Sequence, residues 1–414
     1  MWRTRVGTPG ALTVADNKVF VSDTDGHGVC CLSSEDGKTI WRFMAGARVD
    51  LPPTYYRGKV FFGSRDGWVY CLAADTGDLC WRFRAAPNDM MAFAIEQPES
   101  LWPVHGSVLV LDGTVYFVAG RSSFLNKGLY IYGLDPVTGK RKYQTRIDGP
   151  YDEKGQFVFD RERHRAIKGN LADILVSDGE LIYLRHMAYT KELKPVDRAD
   201  VVNDYIITVS GFLDDTEHDR SFWTMGKLLE EDVVLGTRVD ADMLVVDGKD
   251  VYGFLGYPSN RHPKGFNAIT DGFKLFSLTR TEKRYPRDIL KTGKKLASAM
   301  DMFDPSKTEE PESRWEYQYP ENWSTGMQLN PKAMLKSAGV LYIAGVPNEY
   351  PDEDIYMALE GRMQGLLATF SATDGSLLTK YQLDAPPVWD SLAAADERLF
   401  ISLKNGYVEC WSGK

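Results

Sequence analysis

Apolar and polar residues alternate in short runs along most of the chain. Each run ends at a turn signal rich in Gly or Asp. The stretch NKVFVSDTDGHGVCCLSSEDGKTIWRFMAG (17–46) and the stretch GKVFFGSRDGWVYCLAADTGDLCWRFRAA (58–86) share one layout. Both read as alternation, turn, alternation, turn, and then a run led by Trp. Period-two alternation predicts half-buried strands, and the intervening pairs predict hairpins. The turns Asp36-Gly37 and Thr76-Gly77 match, as do Trp41 and Trp81.

The first hairpin recurs down the chain. Its second strands begin at Val19, Val60, Val115, Ile182, Val251, Leu341 and Leu399. Tight pairs such as Asp112-Gly113, Asp178-Gly179 and Asp247-Gly248 precede several of them, because Gly tolerates the positive φ of a short hairpin turn. Recurrence at this spacing predicts a repeat architecture. The expected fold is all-β, a seven-bladed propeller of four-stranded blades forming a single domain over 1–414, within a longer polypeptide. Residues 386–414 supply three strands of a last unit, and the opening WRTRVG resembles WRFMAG and WRFRAA. The N-terminal strand is therefore expected to complete the last blade, with residues 2–6 beside 406–411, leaving no free sheet edge.

Composition narrows the function classes. Lys and Arg number 49 against 58 Asp and Glu, so the chain carries a formal charge of -9 and is a poor binder of phosphate backbones. No apolar run is long enough for a spanning helix, and the opening MWRTRVGTPG has no apolar signal core. The five cysteines show no zinc spacing. Aligned on the turns, Cys31, Cys71, Gly133, Ser277, Thr369 and Cys410 fall in one slot, which asks for a small side chain. Cys30 and Cys31 are neighbours in one strand and face opposite sides. The cysteines are thus expected to be small, buried and free of disulfides.

The unit G-x-V-Y-x-L-x-x-x-T-G-x-x-x-W, nearly complete in DGWVYCLAADTGDLCWRF, resembles the PQQ-like propeller repeat. Longer stretches, among them 94–140, 173–187, 211–223 and 365–411, resemble the large PQQ-binding-like repeat proteins of the planctomycete type. The resemblance implies an extracytoplasmic protein. It does not carry the cofactor with it. Quinoprotein dehydrogenases add calcium ligands and a catalytic Asp on long excursions, and that constellation has no counterpart in this sequence. No PQQ and no metal site are expected.

Propeller ligands sit at the channel mouth, on the loops. The hairpins are spaced most widely from the third to the sixth, so that side is expected to hold the site. Trp102 and His105 in LWPVHGS precede an innermost strand. Arg65 in GSRDG and Arg121 in AGRSS occupy matching places in adjacent units, where two guanidinium groups could grip an anion. GFLDDTEHDRSFW (211–223) reads as a turn between strands 205–213 and 220–227 of the fourth unit. There Arg220 is expected to bridge Asp214 or Asp215, and His218 to be exposed. Tyr257 and Arg261 lie in a long loop of the fifth unit, 304–313 reads as an exposed charged insertion, and 348–364 as a helix.

No phosphate loop, serine-hydrolase elbow or H-E-x-x-H motif is present. The expected function is a non-catalytic binding or scaffold propeller, with a protein or glycan partner. Its rivals are a polysaccharide lyase using His105, Arg121, His186, His218, Arg220 and Tyr257, and a quinoprotein oxidoreductase.

Overall fold

The computed structural model describes residues 1–94, 97–149, 171–185, 187–196, 205–208, 223–226, 238–256, 272–280, 319–348 and 363–412. All the secondary structure described is β. Successive antiparallel strands form sheet 1 (residues 9–44), sheet 2 (54–84), sheet 3 (109–147), sheet 4 (175–196), sheet 6 (243–327) and sheet 7 (329–383), each of four strands in chain order. Sheet 8 takes three strands from 387–412, and its fourth is Trp2–Arg5. That strand lies antiparallel to Tyr407–Ser412, with Trp2 opposite Cys410 and Arg5 opposite Tyr407. The seven hairpin strands read from the sequence fall one in each of these four-stranded sheets.

Between sheets 4 and 6 stands sheet 5, three strands in the order Tyr205–Thr208, Trp223–Gly226, Arg238–Ala241. The hairpin count of seven does not include it. The strands near 205 and 223 were expected in the fourth unit. Instead they pair with Arg238–Ala241 in a sheet of their own, because sheet 4 already has its four strands by Val196. Sheet 5 lacks the Asp-Gly and Thr-Gly turns that mark the others, so the repeat signal is silent there. The insertion 304–313 lies outside the described residues, as does nearly all of the helix expected over 348–364.

The small slot has a geometric cause. In sheet 1, Cys31 pairs with Phe20 on one side and Trp41 on the other. Cys71 pairs with Phe61 and Trp81, Gly133 with Tyr116 and Tyr143, and Ser277 with Tyr252 and Trp323. Cys410 lies between Phe400 and Trp2. Directly opposed residues share a face of the sheet, so the slot residue sits between two large rings. At Gly133 an added Cβ would already come within 3.0 Å of both tyrosines.

The repeated Trp and the repeated turn belong to one joint between neighbouring sheets. Trp41 Nε1 donates to the Ala74 carbonyl at 2.9 Å, and its ring covers Gly77 of the next sheet. Trp81 does the same to Pro136 and Gly139, and Trp323 to Ala372 and Gly375. Trp2 of sheet 8 donates to the Ser34 carbonyl and covers Gly37 of sheet 1. These glycines hold φ of 66 to 75° and lie under an indole, so both conformation and space exclude a side chain.

The cores lie between successive sheets. Phe20, Trp41, Val60 and Leu72 join sheets 1 and 2. Phe61, Cys71, Val115 and Phe117 join sheets 2 and 3, and Tyr116, Ile131, Ile182 and Leu184 join sheets 3 and 4. Met225 and Val239 of sheet 5 pack with Val251 and Phe276 of sheet 6. Phe254 and Ile343 lie in the core of sheets 6 and 7, and Leu367 and Ile401 in that of sheets 7 and 8. Phe400 and Val408 then pack with Val19 and Val21 of sheet 1. Apolar burial is thus spread over many joints between flat elements, as in propellers.

Candidate ligand site at the channel mouth

In this up-and-down order, the loops after each second strand and the connections to each next sheet gather at the same end. Arg65 stands in the loop after Lys59–Gly63 and Arg121 in the loop after Thr114–Ala119. Both are where the sequence places them, and the structure does bring them together. The anion they meet belongs to the chain itself. Arg65 Nη1 bonds to Glu99 Oε2 at 2.9 Å, and Arg121 Nη2 pairs with Glu99 Oε1. Arg65 Nε bonds to Asp50 Oδ2 at 2.7 Å. Arg48 lies on the far side of Asp50, 4.0 Å from Oδ1. Asp50, Arg65 and Glu99 are all buried.

The Glu99 side chain reaches this position because the connection between sheets 2 and 3 folds into its own hairpin, Met91–Ala94 with Gln97–Ser100. Backbone bonds lock it down. Ser100 N donates to the Arg65 carbonyl and Leu101 N to Met90. His27 Nε2 bonds to Gln97 Oε1 at 2.8 Å, which ties the hairpin to sheet 1. Buried charges persist only when paired and hydrogen-bonded. The alternation of Arg48, Asp50, Arg65, Glu99 and Arg121 meets that condition, and it leaves the two arginines committed. Desolvation lowers the Arg121 pKa, and the nearby Arg65 charge adds to the effect.

Trp102 is also buried rather than lining the mouth. Its ring lies in the core of sheets 2 and 3, and Nε1 donates to the Asn126 carbonyl at 2.8 Å. His105 is buried in the same loop. Asp214, Asp215, His218, Arg220, Tyr257 and Arg261 lie outside the described residues, as does His186.

A cavity of about 470 Å³ opens where the innermost strands converge. Thr8, Pro9, Gly10 and Thr24 come from sheet 1, and Arg48, Asp50 and Leu51 from the connection to sheet 2. Ile174, Trp223, Met243, Leu244 and Met334 form the opposite wall. Sheet 8 supplies Val388, Trp389, Asp390 and Lys404. This is the volume range of small-ligand sites, with mostly apolar walls and a few polar groups.

Asp390 is placed there by a large bulge. Pro387 pairs with Leu403 and Leu392 with Ile401, so Val388, Trp389, Asp390 and Ser391 stand opposite Ser402 alone. Extra residues on one strand bend it and redirect side chains. Asp390 takes a φ of 52°, a left-handed conformation that Asp tolerates better than most residues. Asp390 is exposed to the cavity, and the protein crowded around that cavity strips water from its carboxylate and pushes its pKa up to about 6. It has no hydrogen bond or ion pair among the described residues. Two further carboxylates lie beside innermost strands. Burial pushes Asp173 up to about 7 and Asp242 up to about 6, against opposing bonds from backbone N–H groups.

Sequence reasoning found Arg65 and Arg121 but missed Glu99, Asp50 and Asp390. For Asp390 a signal exists. The run from Pro386-Pro387 to its turn at Asp396-Glu397 is longer than the run from Pro52-Pro53 to Arg57-Gly58. For Glu99, in a connector outside the repeat, there is none.

Residues 1–188 match the family model described as outer membrane protein assembly factor BamB. Over these residues the chain carries the PQQ-like repeat. It is 26% identical over 148 residues to the dehydrogenase subunit of the quinone alcohol dehydrogenase of Gluconacetobacter polyoxogenes, covering 33% of this chain and 19% of that protein. The equivalent subunit from Acetobacter aceti is 26% identical over 137 residues, 30% of this chain and 18% of the relative. The chain therefore spans about a fifth of the length of these curated relatives. A quinohemoprotein alcohol dehydrogenase from Pseudomonas putida superposes with a TM-score of 0.55 at 12% identity, covering 97% of this chain and 70% of that one. The computationally designed Ika8 protein gives 0.50 at 12% identity, covering 98% and 96%. At such identities the likeness shows a shared propeller fold. Among the described residues there is no helix long and apolar enough to cross a membrane.

Proposed function

We propose that this PQQ-like repeat protein is an extracytoplasmic, non-catalytic binding propeller of eight blades. Its partner is a protein that inserts a basic side chain into the axial cavity. Sheet 5 serves as the eighth blade on this reading, and the strand Trp2–Arg5 closes the ring. The observation that carries the binding role is Asp390, a carboxylate extruded into the cavity next to Trp389 and without a partner among the described residues. A carboxylate open to the cavity but crowded by protein favours a cation or a hydrogen-bond donor from outside. The family description, an assembly factor, agrees with a protein partner.

The lyase reading needs guanidinium groups free to neutralise an acidic sugar, and Arg65 and Arg121 are engaged by Glu99 and Asp50. The donor set also suits a tricarboxylate quinone poorly. The carboxylates Asp50 and Asp390 on the cavity wall offset the basic Arg48 and Lys404.

The test is a tryptophan-fluorescence titration of the full chain with an arginine-rich and a glutamate-rich peptide of equal length. Saturable quenching by the arginine peptide, lost in Asp390→Asn and retained in Glu180→Gln on the surface, is expected. Binding that survives Asp390→Asn, or preference for the acidic peptide, overturns the reading. Turnover of an acidic polysaccharide would put the lyase in its place.

A further inference from the structure

Cys80 is the cysteine that the repeat does not explain. Cys30, Cys31, Cys71 and Cys410 are buried, as the small slot and its strands predict, but Cys80 is exposed. Its position follows from a bulge. In sheet 2, Leu72 pairs with Leu79 and Cys71 with Trp81, so Cys80 is the extra residue between the two pairs. Sheet 6 carries the same irregularity. There Leu278 pairs with Glu321 and Ser277 with Trp323, and the extra residue is Asn322. Asn322 Nδ2 donates to Ser277 Oγ at 3.1 Å. This bulge therefore turns the side chain of the extra residue onto the slot residue. In sheet 2 those two places hold Cys80 and Cys71.

The surroundings suit thiol chemistry. Burial raises the Cys71 pKa, and the Cys80 thiol adds to the rise. Lys59 Nζ lies 3.7 Å from Cys80 Sγ, so an ammonium group is at hand to meet a thiolate there. Cys80 faces solvent and can meet an external reagent. Cys71 cannot, being enclosed between Phe61 and Trp81.

We infer that Cys71 and Cys80 form a dithiol–disulfide pair, with Cys80 the attacking thiol and Cys71 the resolving one. The oxidant is a disulfide of the small-thiol or thiol-oxidoreductase class. Cys80, as thiolate, attacks one sulfur of that disulfide, whose S–S bond breaks and releases one thiolate. Cys71 then gives up its proton and attacks Cys80 Sγ, forming the internal S–S bond and expelling the second thiolate. Both released thiolates take up the protons that the two cysteines lost. The chain is oxidised by two electrons and the external disulfide is reduced to two thiols. The bond would staple the third and fourth strands of sheet 2 beside Trp81, whose indole docks onto sheet 3.

The experiment is oxidation of the folded full chain with excess oxidised glutathione, followed by alkylation and non-reducing peptide mapping. The free thiols are expected to fall by two, with a single linkage between the peptides holding Cys71 and Cys80. Cys80→Ser is expected to lose both the linkage and the glutathione uptake. Cys71→Ser is expected to retain glutathione on Cys80 as a stable adduct, a result that a merely exposed cysteine would give in the wild type as well. A lasting glutathione adduct on Cys80 of the wild type overturns the pair. So does a full thiol count after treatment that oxidises the urea-unfolded chain.

Discussion

Replacing Glu99 by Gln tests whether the mouth arginines are held by the protein's own carboxylate. Glu99 is 3% exposed and meets Arg65 and Arg121, and Arg65 keeps Asp50 as a second partner. Removing one member of a buried ion pair costs about 3–5 kcal/mol, because the remaining charge stays buried and unmatched. Gln keeps an acceptor oxygen, so the lower end of that range applies. An unfolding entropy of about 2.1 cal/mol/K per residue over the whole chain converts it into a fall in Tm of roughly 3–4 °C. Arg121→Met should cost less, since the Arg121 side chain is 22% exposed and Glu99 would retain Arg65. The assay is a melting series on wild type, both single variants and the double variant. Coupling between the two sites is expected, with the double variant less destabilised than the sum of the singles. A Glu99→Gln melt matching the wild type, or strictly additive singles, would refute the network.

Asp173 makes stability depend on pH. Its folded pKa of about 7 lies above the usual carboxylate value, so its favourable contribution is present in acid and is lost as pH rises through 7. The Tm of Asp173→Asn minus that of the wild type should grow from pH 4 to pH 7, and a flat or falling difference would contradict the burial argument. Deleting residues 1–8 removes the outer strand of sheet 8, the Trp2 bond to Ser34 and the Arg3 pairs with Asp384 and Glu409. A sharp drop in Tm by calorimetry is expected, and an unchanged melt would show that this strand closes nothing. Gly77→Ala should destabilise by more than 1 kcal/mol in urea unfolding, since φ is 75° and the added Cβ would meet the Trp41 ring at 2.7 Å. Gly58→Ala has open space at a similar φ, and should lose only the backbone part.

The repeat was legible because its parts act locally. Tight turns need Gly, half-buried strands need alternation, and the indole of one sheet needs a bare turn in the next. Trp41, Gly77 and Cys71 therefore announce themselves by spacing, and seven four-stranded sheets follow. Sheet 5 did not announce itself, because its strands lack those turns and are recognisable only by what they pair with. The same limit governs the site. Arg65 and Arg121 could be matched by position, but their binding partner is set by a connector whose path no local pattern fixes. Sequence spacing placed two cations side by side, and only the tertiary fold supplied the carboxylate between them. The cysteines divide in the same way. Cys31, Cys71 and Cys410 are small because two rings flank each of them in every sheet they occupy. Cys80 escapes that rule through a one-residue offset between paired strands, and such an offset exists only once the strands have come together.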